Sequence, residues 1–134
     1  MKINKIIIAE PSPIISSGLL KYLEDINQIN IVSIVDNIDD LKDKMIIHNP
    51  DMLIINPLVL GYSNHSLIKQ FIQNNPSTYF IALISTYIDK SFLKYFKEII
   101  ELNETKQKVV NKIINLINNS DESSSQAESF DLSN

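Results

Sequence analysis

The sequence has no cysteine, no arginine and only two glycines among its 134 residues. Without cysteine there is no disulfide framework, no thiolate zinc site and no cysteine nucleophile. Without arginine, lysine alone carries the positive charge. Phosphate neutralisation and guanine readout both rest on clustered Lys and Arg, so the chain is poorly equipped to grip DNA by itself. Gly18 and Gly61 stand far apart, and no glycine-rich phosphate loop exists. Long apolar runs are missing too. A run such as Ile6 to Ala9 is far too short to span a bilayer. No cationic start leads into an apolar stretch with a small-residue cleavage site, so a cytoplasmic location without membrane contact is expected. Histidine is limited to His48 and His65, which lack i, i+4 spacing. A metal site needs at least three converging ligands, and none is expected here.

What is present suits a single domain with a real core, since 44% of the residues are hydrophobic. Twelve lysines oppose sixteen acidic residues, for a net charge of −4. Asp121, Glu122, Glu128 and Asp131 lie beyond Asn118, where there is no lysine, so that stretch carries the whole net charge. The body, residues 1–117, is formally neutral.

The apolar pattern alternates between two periods. Lys5-Ile6-Ile7-Ile8-Ala9 is a short β-branched run that reads as a strand buried on both faces. Ser12-Pro13 suits an N-cap and first helical position. Ile15, Leu19, Leu23 and Ile26 follow at helical spacing. Asn30 to Val35 reads as a second strand. Asn37 is placed to cap a helix with Asp39 and Asp40 in its first turn and Leu41 and Met45 facing inward. Asn49-Pro50 stops that helix. Met52 to Ile55 is a third strand, ending at Asn56-Pro57. A loop with Gly61 leads to a helix bearing Leu67, Ile68, Phe71 and Ile72, and Tyr79 to Ile84 is a fourth strand. Ser91 to Lys97 reads as a short helix, Glu98 to Leu102 as a fifth strand and Thr105 to Ile117 as a last helix. Residues 118–134, rich in Ser, Asn and acid, read as a linker or tail.

Five rounds of strand and helix imply an α/β parallel sheet with helices on both sides. In such folds ligands gather at the carboxyl ends of the strands. Here those ends are Ala9-Glu10-Pro11, Asn56-Pro57, Ile84-Ser85-Thr86 and Leu102-Asn103.

The residues at these ends resemble a known family. Ile6-Ile7-Ile8-Ala9-Glu10-Pro11-Ser12-Pro13 with Gly18-Leu19-Leu20 is similar to the opening of response-regulator receiver domains of the NarL/LuxR type. Asn49-Pro50-Asp51-Met52-Leu53-Ile54-Ile55-Asn56 is similar to the approach to their phosphoacceptor, and Asn75-Pro76 with Ile81-Ala82-Leu83 to the fourth strand. The resemblance runs from about Lys5 to Ile117. It implies a flavodoxin/CheY-like doubly wound sheet of five strands in the order 2-1-3-4-5, shortened around the fourth helix.

It also implies a phosphorylation pocket from which this chain departs. The family's acidic pair is reduced to Glu10, followed by Pro11. Its phosphoacceptor aspartate is replaced by Asn56. An amide is neither a phosphoryl acceptor nor an anionic Mg²⁺ ligand. The reporting hydroxyl falls on Ile84 or Ser85, and the lysine after the fifth strand maps near Glu101 or Leu102. The pocket members Glu10, Pro11, Asn56 and Ser85 thus describe a receiver that does not accept a phosphoryl group. Two plainer roles compete with this. Glu10 reads equally as a solvent-exposed loop carboxylate, and Asn56 as a strand-end amide bonded to nearby backbone.

Phe130-Asp131-Leu132-Ser133-Asn134 is similar to the lead-in of a LuxR-type helix-turn-helix domain, which implies that DNA is reached through a C-terminal domain outside this chain. The expected partners are proteins, a second copy of the chain included. Tyr87 and Tyr95 are candidate interface residues, whereas Phe92 and Phe96, four apart, read as a buried stripe. Lys106, Lys108 and Lys112 read as a solvated face.

Enzyme chemistry is not expected. Ser16-Ser17 and Ser85-Thr86 lack an evident base. A flavin site would want a Ser/Thr/Gly-rich loop after the first strand, where Glu10-Pro11-Ser12-Pro13 offers few backbone donors, so no cofactor is expected. The reading is a phosphorylation-independent regulatory domain of a transcription regulator. The alternatives are a stand-alone interaction adaptor and, less favoured, a small flavodoxin-like enzyme or cofactor carrier.

Overall fold

The computed structural model describes residues 2–61, 65–84 and 90–133. Five strands, β1 (Asn4–Ala9), β2 (Ile29–Val35), β3 (Met52–Ile55), β4 (Tyr79–Ile84) and β5 (Glu98–Glu101), form one sheet in the order β2-β1-β3-β4-β5. All neighbouring pairs are parallel. Helices α1 (Pro13–Leu23), α2 (Ile38–His48), α3 (His65–Gln73) and α4 (Lys106–Ser133) alternate with them. The α/β parallel sheet expected from the periodicity is therefore present, in the doubly wound five-stranded order that the resemblance implies.

Residues 1–104 and 105–134 form two compact units. Within the first, the strand order reverses direction after β2. Right-handed crossovers then put α1 on one face of the sheet and α2 and α3 on the other. Burial follows this arrangement. Ile7, Ala9, Leu53, Ile55 and Phe80 point to the α2/α3 face and pack there with Leu41, Met45 and Ile68. Ile6, Ile8, Ile54 and Ile81 alternate to the opposite face and are equally inaccessible. Central strands buried on both sides explain the unbroken apolar runs.

The helix boundaries are set by local chemistry. Ser12 Oγ accepts the Ile15 amide, and Pro13 occupies the first turn of α1. Asn37 Oδ1 accepts the Asp40 amide at the start of α2, whose first turn carries Asp39 and Asp40. At its end Asn49 adopts a left-handed conformation, φ 43°, and its amide bonds the Met45 carbonyl. An asparagine tolerates that conformation better than most residues, and Pro50 then prevents continuation.

Three elements differ from expectation. The stretch after β3 is a 3-10 helix, Pro57–Leu60, closed by Gly61 at φ 67°. The short helix before β5 is likewise a 3-10 helix, Lys90–Tyr95. Finally, α4 does not stop at Ile117 but continues to Ser133. Apolar periodicity shows where a helix has a face to bury, not where its backbone must end. From 103 to 134 there is no Gly or Pro to end it.

Leu41 and Ile46 lie on the same helix with opposite fates, fully buried and 83% exposed. Leu41→Ala is expected to cost about 2–5 kcal/mol in urea unfolding. Ile46→Ala should stay within about 0.5 kcal/mol. Similar losses for both would contradict the packing described.

Candidate functional site

The parallel register of β1 and β3 pairs Ala9 with Ile55. The first residue past each strand is therefore placed beside the other, and these residues are Glu10 and Asn56. Backbone bonds extend the ladder by one step: Glu10 N–H donates to Val35 O at 3.0 Å, and Asn56 N–H to Ala9 O at 2.9 Å. Both side chains are buried, with Glu10 2% and Asn56 4% exposed.

The two side chains bond each other. Asn56 Nδ2 donates to Glu10 Oε1 at 3.0 Å. Glu10 Oε2 accepts the Ser12 amide at 2.7 Å, the short distance of a charge-assisted bond. Asn56 Oδ1 accepts the Leu58 amide at 3.1 Å, so the residue also caps the 3-10 helix that follows. Burial of a carboxylate is costly unless it is hydrogen-bonded, and here both oxygens are engaged. Glu10 is thus not a solvent-exposed loop carboxylate. Asn56 does bond nearby backbone as a strand-end amide, and it additionally holds Glu10. Pro11 follows Glu10 directly and supplies no backbone donor.

The Mg²⁺ implied by the resemblance does not suit this donor set. The position holds one carboxylate with both oxygens in hydrogen bonds, a proline and an amide, whereas Mg²⁺ favours carboxylates, phosphates and water in octahedral array. Among the described residues no three His, Asp or Glu side chains converge as a metal site. A cavity of about 340 Å³ borders Glu10, Ser16, Asp36 and Asp40. Both aspartates accept from Asn37 Nδ2, at 2.7 and 2.9 Å. Ser85 and Tyr87 lie outside the described residues.

One cluster escaped the sequence reading. His65, the first residue of α3, lies 3.1 Å from the Tyr95 hydroxyl through Nδ1 and 3.1 Å from Ser91 Oγ through Nε2. Its ring packs on Phe92 with centroids 3.9 Å apart. Phe92 is buried and Phe96 packs at the core margin, as their spacing predicted. Tyr95, the candidate interface residue, is half-buried against the core with its hydroxyl turned to His65. Nucleophilic activation needs a base oriented by a further group, in the usual triad a carboxylate, and here the third member is a phenol. The two hydroxyls engage the two ring nitrogens, one donating to the nitrogen without a hydrogen and the other accepting from the N–H, so the contact suits a structural clasp of α3 to the second 3-10 helix. The partners stand 26 and 30 positions apart in the sequence, so no local spacing announced the contact.

Comparison of the sequence with protein-family models and with curated proteins finds no match. Solved structures do match. The isolated REC domain of RcsB from Salmonella enterica serovar Typhimurium, in the presence of the phosphomimetic BeF3−, aligns with a TM-score of 0.75 at 22% identity, over 87% of this chain and 90% of that one. The signal receiver domain of NarL from Mycobacterium tuberculosis aligns at 0.70 and 12% identity, over 87% and 97%. RcsB from the same Salmonella serovar, bound to promoter rprA, aligns at 0.71 and 21% identity, over 83% of this chain. This chain spans 66% of the length of that DNA-bound protein. At these identities the likeness is one of fold, and the fold is that of CheY-like receiver domains.

The Glu10–Asn56 bond has a direct test. Asn56→Asp would set two carboxylates in place of a donor and an acceptor. The variant is expected to lose about 1–3 kcal/mol in urea unfolding at pH 7.5. The stabilised form holds one shared proton, present at low pH and lost as pH rises, so the deficit should shrink at pH 5. An equal deficit at both pH values would show that repulsion between the pair is not the cause.

Proposed function

We propose that this chain is a receiver-like regulatory domain that works without aspartyl phosphorylation. The observation that carries the reading is the pair at the carboxyl ends of β1 and β3. Asn56 stands where the resemblance places the phosphoacceptor, and its amide donates to Glu10, whose second oxygen is held by Ser12. A carboxamide lacks the anionic oxygen that attacks a phosphoryl donor. The carboxylate beside it is engaged by neutral donors rather than by a cation.

In place of a covalent switch, the domain responds by population shift, through contact with a protein partner or self-association. Residues 118–134 then connect it to a LuxR-type DNA-binding domain, as Leu132-Ser133 suggests, and the whole acts as a cytoplasmic transcription regulator. Two observations support that extension. The solved structures of similar fold include DNA complexes, and the chain itself has no arginine with which to read bases. Among the described residues, no helix is long and apolar enough to cross a membrane.

Light scattering over a concentration series, with and without beryllofluoride and Mg²⁺, tests the reading. A dimer indifferent to the mimic is expected, with unchanged amide NMR signals at Ala9, Glu10 and Asn56. Saturable shifts around Asn56, or a monomer driven to dimer by the mimic, would overturn it.

A further inference from the structure

A second cavity lies away from the Glu10–Asn56 pair. It measures about 470 Å³, within the usual range for small-molecule sites. Two helix faces and a floor form it. On α2, Ile38 and Lys42 are one turn apart. Along α3 and its end, Leu67, Gln70, Phe71 and Asn74 fall at i, i+3, i+4 and i+7 and so share one face. The 3-10 helix contributes Val59 and Leu60.

The lining is divided chemically. Ile38, Val59, Leu60, Leu67 and Phe71 make an apolar interior, in which water would find few partners. The polar side chains are those of Lys42, Gln70 and Asn74. Among the described residues Lys42 is the single charged member of the lining, and there it enters no ion pair. Leu67 is 49% exposed, a large apolar side chain at the open side of the cavity. An apolar slot with an ammonium outside the described ion pairs and two amides complements an apolar tail that ends in an anion.

We propose that this cavity between α2 and α3 binds a small amphipathic monocarboxylate. The tail lies on Ile38, Leu67 and Phe71, and the carboxylate meets Lys42 with amide donors from Gln70 or Asn74. The proposal stands on the cavity alone and does not depend on the phosphorylation-independent reading, whose beryllofluoride test it leaves untouched.

Decanoate, used below its micellar concentration at pH 7.5, is a suitable probe for the 134-residue chain. Amide NMR titration should show saturable shifts confined to Ile38, Lys42, Val59, Leu67 and Phe71. Lys42→Gln alters an exposed side chain, so the fold should persist. It should weaken decanoate about fivefold, the upper range for one exposed charge pair, and leave decanol affinity unchanged. Leu67→Glu should abolish decanoate binding. The proposal is overturned by the absence of saturable shifts, by shifts centred elsewhere, or by equal decanoate affinity in Lys42→Gln. It is also overturned if the same amides shift with protein concentration alone, which would assign the groove to a second copy of the chain.

Discussion

The hydrogen bond between Asn56 and Glu10 sits where the sheet has least room for unsatisfied polarity. β1 and β3 are adjacent inner strands, enclosed on both faces, and their carboxyl ends come up side by side. Whatever follows Ala9 and Ile55 must either be apolar or arrive with a partner. The chain places a carboxylate at one position and a carboxamide at the other. Each completes the other while also capping its own continuation, Glu10 through Ser12 N–H and Asn56 through Leu58 N–H. The entry of the backbone into α1 and into the 3-10 helix after β3 is thereby tied to one buried contact. A hydrogen bond to a charged group contributes about 1.5–3 kcal/mol, and an orphaned buried partner costs a comparable amount. The site is therefore structural in its energetics whatever else it does.

That mutual satisfaction bears on the choice between a switching pocket and a static one. A switch needs a change of charge or ligation at the site that two conformations feel differently. Glu10 and Asn56 already supply each other's partners with no external ion. A ligand at this position would have to displace bonds already made in a buried setting, which raises the differential affinity required. The cavity between α2 and α3 presents the opposite condition. Among the described residues its ammonium enters no ion pair, and Leu67 on its apolar wall is half exposed, so a ligand there adds contacts without first breaking an ion pair.

The parts of this architecture that were legible in the sequence share a local cause. Strand runs at Ile6–Ala9 and Met52–Ile55 show through because burial on both faces removes alternation. The caps at Ser12 and Asn37 show through because a side-chain oxygen three residues before a free amide is a local geometry. Glu10 and Asn56 could be singled out as strand-end residues and by family resemblance. Their contact could not, because residues 46 apart meet only through the register of two strands. His65, Ser91 and Tyr95 were opaque for the same reason. The continuation of α4 has a different cause: residues 118–134 lack an apolar stripe and are rich in Ser, Asn and Asp, which are weak helix formers, so neither periodicity nor propensity marks a helix there, while no Gly or Pro ends one.

The residue after Asn56 gives the site a chemical permanence that an amide there would otherwise lack. Asparagine commonly converts to aspartate when the next residue's backbone nitrogen attacks the side-chain carbonyl carbon and ammonia leaves. Pro57 supplies that nitrogen here, already tertiary and without a hydrogen, so the neutral cyclic imide cannot form. The same proline starts the 3-10 helix that aims the Leu58 amide at Asn56 Oδ1. One residue thus fixes the orientation of the amide and blocks the ordinary route by which it would become a carboxylate. An acidic residue at this position would not arise by the imide route, and it would stand against Glu10, whose two oxygens are arranged to receive donors.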